Sequence, residues 1–432
     1  MIRIIQIFKS IKNNWKKSLV GSAALSYGVS YGVETYDTRQ LMRQYCESVL
    51  KYGDTPLPTN IKPRHVTVIL NPTASKRKTK KFFEEYCEPL LHLAGIAVTI
   101  IQTESEGHAR TIATNLNTPT DAIIVAGGDG TLSEVITGLM RKYEGNVDSV
   151  KKCPIGVLPL GKTSRIAKSL FSGYNDMIAI REMVDATMAV IIGNSKLLDV
   201  VKVEPLQQDA DKPLKPVYGL GVLEWGAWRD ADARCNTYWY WGSLRRYASY
   251  VFNGYKKDLS WNCKATLKYT DPCSGCSRCF YKYSTNVESN KLSQRWWHAF
   301  LPRRKPNISQ IDYSKIINEN CGSVHELPLS ATELQILTGN INSNSEMDKP
   351  ALQVQLGPEK IDYLNFVSEG WRRIRGEKKL VGQTLEVNDL ELHFETNDNM
   401  DKTKMFSIDS EEYDLMPLKI QLLPQSVQIF CP

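Results

Sequence analysis

The run Gly127-Gly128-Asp129-Gly130-Thr131 is the stretch of this sequence best suited to hold a phosphate. Residues without side chains let backbone amides approach an anion, and glycine tolerates the positive φ of tight anion-binding turns. The apolar run 122–126 before it reads as a strand, and 131–142 reads as a helix whose positive N-terminus faces the same anion. Asp129, held at the turn, is placed to reach a magnesium–phosphate complex through water or to meet an acceptor hydroxyl. The motif is not a Walker A loop, because no Gly-Lys-Ser/Thr follows, and its glycine spacing differs from GxGxxG. A Gly-rich turn opening a helix is the purely structural alternative; the strand before and the helix after favour a nucleotide site.

Three further loops have suitable chemistry. The strand-like run 66–70 ends in Asn71-Pro72-Thr73-Ala74-Ser75 and then the basic Lys76-Arg77-Lys78. There Asn71 is read as a contact to adenine or ribose. Thr103 follows the run 98–102, and Gly107-His108-Ala109 opens a helix over 109–117. The run 155–158 leads into Pro159-Leu160-Gly161-Lys162-Thr163-Ser164, where Lys162 offers phosphates a positive charge. Four loops at one sheet edge make a site more convincing than any one alone. Thr131 and Glu134 have the spacing of a capping box, so Glu134 is assigned to capping rather than catalysis. His108 is read as a helix-start packing residue.

These loops need a scaffold. Between 64 and 195, short apolar strands alternate with helical segments, including one over 80–94. Strands without polar alternation suit a parallel sheet covered on both faces, hence a doubly wound α/β domain. From 196 to 432 strand-like runs follow one another (198–203, 217–223, 263–269, 333–338, 352–356, 385–387, 391–395, 418–422 and 427–430), broken by a helical patch over 239–252. That is a second, β-rich domain. Residues 271–312, rich in Ser, Asn, Cys, Lys and Arg, read as a surface insertion. Cys273-x-x-Cys276-x-x-Cys279 within it has metal-ligand spacing, but a fourth ligand is missing nearby, Cys321 and His298 being distant. The expectation there is a loop with oxidisable thiols rather than a metal site.

Charge is concentrated at the start. The net charge is +7, of which Arg3, Lys9, Lys12, Lys16 and Lys17 in the acid-free first 33 residues supply five. The remainder is nearly balanced, which speaks against a nucleic-acid-binding body. Ile4, Ile7, Phe8, Ile11, Trp15 and Leu19 share one helical face beside a basic stripe, as in a mitochondrial targeting segment. The uncharged run 18–33 would span about 24 Å as a helix, short of the ~30 Å hydrocarbon core. Residues 1–33 are read as a targeting or anchoring segment, a retained interfacial anchor or marginal span being favoured over a cleaved presequence because the uncharged stretch continues past the basic helix, and 34–63 as a polar neck. Ten cysteines in 432 residues do not suggest a disulfide-stapled secreted domain.

Asn71-Pro72, Gly107-His108-Ala109, Gly127 to Thr131 and Leu158-Pro159-Leu160-Gly161 together resemble the diacylglycerol kinase catalytic family, which includes sphingosine and ceramide kinases. Asn13-Asn14-Trp15-Lys16-Lys17, Trp225-Gly226, Arg229-Asp230-Ala231, Tyr238-Trp239-Tyr240 and Phe406 to Tyr413 resemble its mitochondrial, acylglycerol-phosphorylating branch. The resemblance covers most of the chain and is weakest over 271–312 and 340–350. It implies an α/β nucleotide-binding domain and a β-sandwich with the site between them. It also implies ATP as phosphoryl donor, Mg²⁺, and monoacylglycerol or diacylglycerol as acceptor, giving lysophosphatidic or phosphatidic acid. Attachment to the mitochondrial inner membrane facing the intermembrane space, and a link to the carrier-import translocase, follow from the same resemblance.

Carried over by position, Asn71, Pro72, Thr73, Ala74, Ser75, Thr103, Gly127, Gly128, Asp129, Gly130 and Thr131 surround the nucleotide, with Gly161 and Lys162 beside them. Asp409 and Glu411 fit the family's Asp-Gly-Glu signature with Ser410 in place of glycine. Asp409 is then the general base, Glu411 orients water or holds metal, and Asp199 is a supporting acid. Without the resemblance, Asp409-Ser410-Glu411-Glu412 would read as a solvated acidic turn. The usual Gly-Thr-x-Asn-Asp loop is altered here to Gly161-Lys162-Thr163-Ser164-Arg165. An apolar acyl groove is expected near the site, with Tyr238, Trp239, Tyr240 and Trp241 as candidates for lining it or touching a bilayer. The alternatives are a sphingosine or ceramide kinase, an NAD kinase, or a membrane-bound assembly factor that acts by binding.

Overall fold

The computed structural model describes residues 15–54, 56, 62–161, 164–171, 179–206, 214–256, 259–273, 276–278, 316–341, 350–377, 379–395 and 404–432. The start of the amphipathic N-terminal run, Lys162 and Thr163, Cys279 and His298 lie outside these residues.

The expected break between anchor and neck is absent. Helix α1 runs uninterrupted from Trp15 to Gly53, 39 residues and so about 58 Å. It contains no proline, and nothing in its sequence stops it at residue 33. Its first half is exposed, with Leu25, Tyr27, Val29 and Tyr31 each more than 60% accessible. Its second half docks on the body: Val49 is fully buried, and Met42, Tyr45, Cys46 and Tyr52 pack against the first core. Among the described residues no helix is long and apolar enough to cross a membrane.

Strands β1 (His65–Leu70), β2 (Ala97–Gln102), β3 (Ala122–Gly127) and β4 (Ile155–Pro159) pair in parallel in the order β2-β1-β3-β4. β3, Ala-Ile-Ile-Val-Ala-Gly, is buried at all six positions, as a central parallel strand between helical layers must be. The helices that matter to the site are α2 (His108–Asn115), α3 (Asp129–Lys142) and α4 (Arg165–Leu170). The helical stretch expected over 80–94 is present, with one π turn at Phe83–Cys87.

The sheet does not stop at residue 195. Its next strand is the last of the chain, β16 (Leu418–Phe430), whose Ile429 bridges to Ile155 of β4. β16 pairs antiparallel with β5 (Ser195–Pro205) and with β13 (Asp389–Phe394); β8 (Cys263–Thr270) and β9 (Val324–Ala331) extend the same sheet. Val427, Ile429 and Phe430 lie in the same core as Val66 and Ile124, so the final residues complete the first core. The runs 418–422 and 427–430, expected as two strands, are one strand with a bulge between Leu423 and Val427.

A second, six-stranded antiparallel sheet contains β12 (Gln383–Val387), β11 (Leu352–Leu356), β10 (Glu333–Leu337), β7 (Val222–Gly226), β14 (Met405–Ile408) and β15 (Glu411–Asp414), in that order. It packs on the first sheet: Leu267, Leu392 and Ile420 share a core with Ile336, Val354 and Phe406. Trp225 meets Phe394 edge-on at 4.7 Å across that core. Two facing sheets around one apolar layer make a β-sandwich. The run 217–223 divides into β6 (Val217–Gly219), which belongs to the first sheet, and β7, which belongs to the second. Helices α5 (Ala227–Ala233), α6 (Arg245–Asn253) and α7 (Tyr363–Ile374) pack at one end around Trp228, Tyr250 and Phe366.

Candidate active site

The loops after β1, β3 and β4 meet at backbone distance. A Cβ on Gly161 would stand 2.2 Å from the Gly128 Cα, and one on Gly127 would stand 2.8 Å from the Thr131 Cβ. Close approach is therefore the reason for these glycines. Positive φ, expected from the sequence, is not: Gly127, Gly128, Gly130 and Gly161 all lie outside the left-handed region. Helix α3 starts at Asp129, two residues earlier than expected, with Gly128 as its N-cap.

Asn71 ties the first loop to the third. Its Nδ2 donates to Thr131 Oγ1 at 3.1 Å, and its Oδ1 accepts from the Thr73 amide and hydroxyl at 3.1 and 2.7 Å. Both ends of the amide help to shape the loop, and one Nδ2 N–H is left at the cavity that Asn71 lines. His108 likewise closes its own loop, accepting from the Glu104 N–H at 3.0 Å.

Asp129 faces away from the opening. Its Oδ2 accepts from the Arg165 N–H at 2.9 Å and its Oδ1 from the Ile166 N–H at 3.4 Å, capping α4. Burial pushes its carboxyl above the usual range, and the Arg165 amide and charge oppose that. Glu134 is a capping residue, but not of its own helix. Because α3 begins at Asp129, Thr131 sits within the first turn, and Glu134 reaches the neighbouring helix. Its two oxygens accept from Gly107 N–H at 2.9 Å and Arg110 N–H at 3.4 Å at the start of α2.

The β14–β15 hairpin closes the site. Its turn residues Asp409 and Ser410 have φ of +46° and +76°, the positive pair that a two-residue turn between paired strands adopts. Asp409 is buried, and its carboxylate sits in a cradle of main-chain donors. Leu220 N–H and Gly221 N–H donate to Oδ2 at 2.8 and 3.3 Å, and Val222 N–H donates to Oδ1 at 2.8 Å. Gly219 and Gly221 leave the room: a Cβ on either would stand 2.8 or 2.4 Å from an Asp409 carboxylate oxygen. Burial raises the Asp409 carboxyl to about 6 against the opposing pull of these amides. Helix α3 holds the cradle in place, since Ser133 and Thr137 hydroxyls donate to Tyr218 O at 2.9 and 3.1 Å.

Two residues beyond Asp409, Glu411 lies over Gly130; a Cβ there would be 3.3 Å from Glu411 Cγ. Burial first, then the Glu134 carboxylate, raise Glu411 to about 8, while the Tyr413 hydroxyl, 2.7 Å from Oε2, and Arg110, at 3.6 Å, oppose them. The cavity at this junction measures about 560 Å³ and is lined by Asn71, Thr73, Ala74, Thr103, Gly128, Gly130, Thr131, Gly161 and Glu411. Glu104, Glu106, Glu134 and Glu412 line it too and were not read from the sequence as site residues. Pro72, Gly127, Asp129 and Asp409 do not line it. The Ser75 side chain and Lys162 lie outside the described part of the structure.

Asp199 is remote from this cavity. Its Oδ1 accepts from Gln425 N–H at 2.8 Å within the β16 bulge, and burial raises its carboxyl. Its main chain bonds Asn340, whose Nδ2 also donates to Leu220 O at 2.8 Å, so support reaches the cradle through Asn340.

Next to the first cavity is a cleft of about 940 Å³, in which charged residues stand beside Val222, Trp228, Leu337, Ile341 and Val381, so it is only in part the expected apolar groove. Arg165 pairs with both oxygens of Glu224 at 2.9 and 3.0 Å. Glu224 is pushed up by burial yet held down at about 2 by Arg165 and Lys379. Arg373 clamps Glu333 at 2.6 and 2.7 Å and stacks 4.2 Å over Trp228. Arg165, standing where the family pattern has an acid, thus anchors the cleft wall. Tyr238 is buried against Phe252, whereas Trp239, Tyr240 and Trp241 are exposed at 74, 63 and 43% and line neither cavity.

The sequence matches two family descriptions, "Diacylglycerol kinase catalytic domain" over residues 65–203 and "Acylglycerol kinase C-terminal" over residues 220–432. It is 32% identical to the Homo sapiens protein named "Acylglycerol kinase, mitochondrial", over 98% of this chain and 96% of the relative. The chain belongs to the acylglycerol kinase family. The Xenopus laevis member is 30% identical over 100% of this chain and 96% of its own length. By contrast, "Sphingosine kinase 1" of Arabidopsis thaliana is 29% identical over 43% of this chain and 36% of that one. As an acylglycerol kinase family member, the protein is a lipid kinase with ATP as co-substrate.

Proposed function

We propose that this lipid kinase transfers the γ-phosphate of ATP to the hydroxyl of monoacylglycerol and diacylglycerol, with the nucleotide in the 560 Å³ cavity. The observation that carries the reading is the meeting of the Gly127–Thr131 loop with the Asp409–Glu411 turn, where a Cβ on Gly130 would stand 3.3 Å from Glu411 Cγ. The start of α3 offers its amides to the phosphates. Five glutamates in the same cavity would repel a bare triphosphate, so this donor set fits ATP carried with a divalent cation. Glu411 and Glu134 would hold Mg²⁺, hard carboxylate oxygens suited to that ion; bound there, it would neutralise phosphate charge. Asp129, which accepts the Arg165 and Ile166 amides at the start of α4, does not line this cavity.

Asp409 would accept the proton of the attacking hydroxyl. A carboxylate has about four lone-pair sites, and three are used by the cradle amides, leaving one on Oδ1. A base near 6 is charged at neutral pH, which suits it to that task. The acceptor headgroup would occupy the charged 940 Å³ cleft that Ser410 and Glu412 also line, with the acyl chains left outside it. Incubation with ATP, Mg²⁺ and acylglycerol vesicles should yield lysophosphatidic and phosphatidic acid by mass spectrometry. No phospholipid product from a folded preparation would overturn the reading.

Placement in the mitochondrion rests on the relatives' names and the acid-free basic start, and attachment to the inner membrane facing the intermembrane space is the finer part of the proposal. The exposed apolar residues of α1 would lie in the interface rather than span it. Binding of the carrier-import translocase, implied by the family resemblance, is a second reading; copurification with wild type and its loss in Leu25→Ser, Val29→Ser would support it.

A further inference from the structure

We propose that Cys273, Cys276 and Cys321, at the two ends of the β8–β9 connection, ligate one structural zinc ion. Among the described residues these three form a cluster in which the sulfurs all lie within 4.8 Å of one another. The arrangement follows from the sheet. β8 and β9 pair antiparallel up to Thr270 opposite Val324, and continuing that register by three residues sets Cys273 opposite Cys321. Cys276 then comes back to the same point from the far side of the turn.

The geometry suits tetrahedral zinc. A Zn–S distance of about 2.3 Å sets ligand sulfurs about 3.8 Å apart, so the cluster needs to contract by no more than about 1 Å. Three sulfur donors select zinc over the hard cations used elsewhere in a kinase. The surroundings are built. Cys276 is fully buried, and Asn318 Nδ2 donates to Cys273 Sγ at 3.4 Å, the type of outer bond that fixes a thiolate ligand. The two legs are held independently of any metal: Ser277 N–H donates to Ile316 O at 2.8 Å, and Arg278 Nη1 donates to Glu319 O and Cys321 O at 3.0 and 3.3 Å.

Other thiols lack these features. Cys87 is buried in the first core, where desolvation pushes its thiol up to about 12, the state of an inert packing residue. None of the three clustered cysteines lines the nucleotide cavity or the charged cleft, so the zinc is structural. Binding would release one proton to solvent for each thiol that becomes a thiolate, with no redox change. The ion would pin both ends of the long β8–β9 connection at the sandwich edge, lowering the entropy of an excursion that the ladder alone leaves open.

The test uses the full chain, purified in reductant with zinc present during expression and then gel-filtered free of loose metal. Elemental analysis should find about one zinc per chain, released when a mercurial titrates the thiols. Cobalt exchange should give the intense d–d bands of a tetrahedral thiolate site. Cys276→Ser and Cys321→Ser should each lower zinc at least fivefold, and Cys153→Ser should leave it unchanged. Cobalt bands in the wild type stand even if a variant fails to fold. Zinc below about 0.1 per chain, a disulfide among the three by intact mass, or zinc unchanged in both Cys276→Ser and Cys321→Ser would overturn the proposal.

Discussion

Replacing Asp409 by asparagine separates a proton acceptor from a residue that merely holds a turn. The carboxylate receives three N–H donors on two oxygens, from Leu220, Gly221 and Val222. Asparagine offers one oxygen and turns a donor-bearing nitrogen toward at least one of those amides. A buried N–H left without an acceptor costs about 1–3 kcal/mol. Removal of a buried charge offsets part of this, because the Asp409 carboxyl is raised to about 6 and ionising it in the fold is unfavourable. The sign is that of a raised acid: the fold prefers its protonated form, and its contribution to stability declines as pH rises through about 6. Asp409→Asn should therefore fold, somewhat less stably, and bind ATP normally, since Asp409 does not line the nucleotide cavity. Its kcat should fall by about 10²–10⁴-fold, the contribution of a positioned base. Wild-type kcat should rise with pH up to about 6 and then level, and the variant should lack that limb. The assay is phosphoryl transfer from radiolabelled ATP to monoacylglycerol vesicles, with folding checked by circular dichroism. A folded variant turning over within about threefold of wild type refutes the base assignment. A raised KM for ATP at unchanged kcat would assign Asp409 to holding the hairpin instead.

Gly161→Ala places a methyl 2.2 Å from the Gly128 Cα, so the loops must part; isothermal titration should show ATP affinity lowered by about 5–150-fold, equivalent to 1–3 kcal/mol of overpacking. Glu411, raised to about 8, must lose a proton to bind a cation, so Mg²⁺ affinity should climb between pH 7 and 8 and level above that; Glu411→Gln should flatten the profile. Arg373→Ala strips Glu333 of a two-point partner in a buried setting and should cost about 3–5 kcal/mol in denaturant unfolding, against little change for Arg375→Ala at an exposed pair.

The local logic of the α/β half was largely legible. β3 declares itself by six apolar residues before the glycine run, and burial on both faces is the physical reason that such a run has no polar alternation. The reach of β16 into the first sheet was not legible, because a parallel bridge between Ile429 and Ile155 leaves no local pattern. The hairpin β14–β15 was missed for a different reason. Its turn, Asp409-Ser410, takes positive φ without the glycine that usually signals it, and Glu411-Glu412 reads as solvated charge. One signal was available: Gly219 and Gly221, spaced by one residue in an apolar run, mark backbone that must pass close to something, here the Asp409 carboxylate. The apolar groove was expected from the nature of the acceptor, whereas the cleft walls mix ion pairs with apolar side chains, and the exposed rings of Trp239 and Tyr240 lie elsewhere. Cys321 could not be joined to Cys273 by spacing alone, since the β8–β9 register is what brings them together.

The account rests on phosphoryl transfer to an acylglycerol at the junction of the glycine loop and the 409–411 turn. Radiolabelled ATP offered with a panel of monoacylglycerol, diacylglycerol, sphingosine, ceramide and NAD tests it most directly. The expected result is label in lysophosphatidic and phosphatidic acid, with sphingosine, ceramide and NAD unlabelled and both products lost in Asp409→Asn. Label in sphingosine phosphate or NADP alone, or acylglycerol products undiminished in Asp409→Asn, would contradict it.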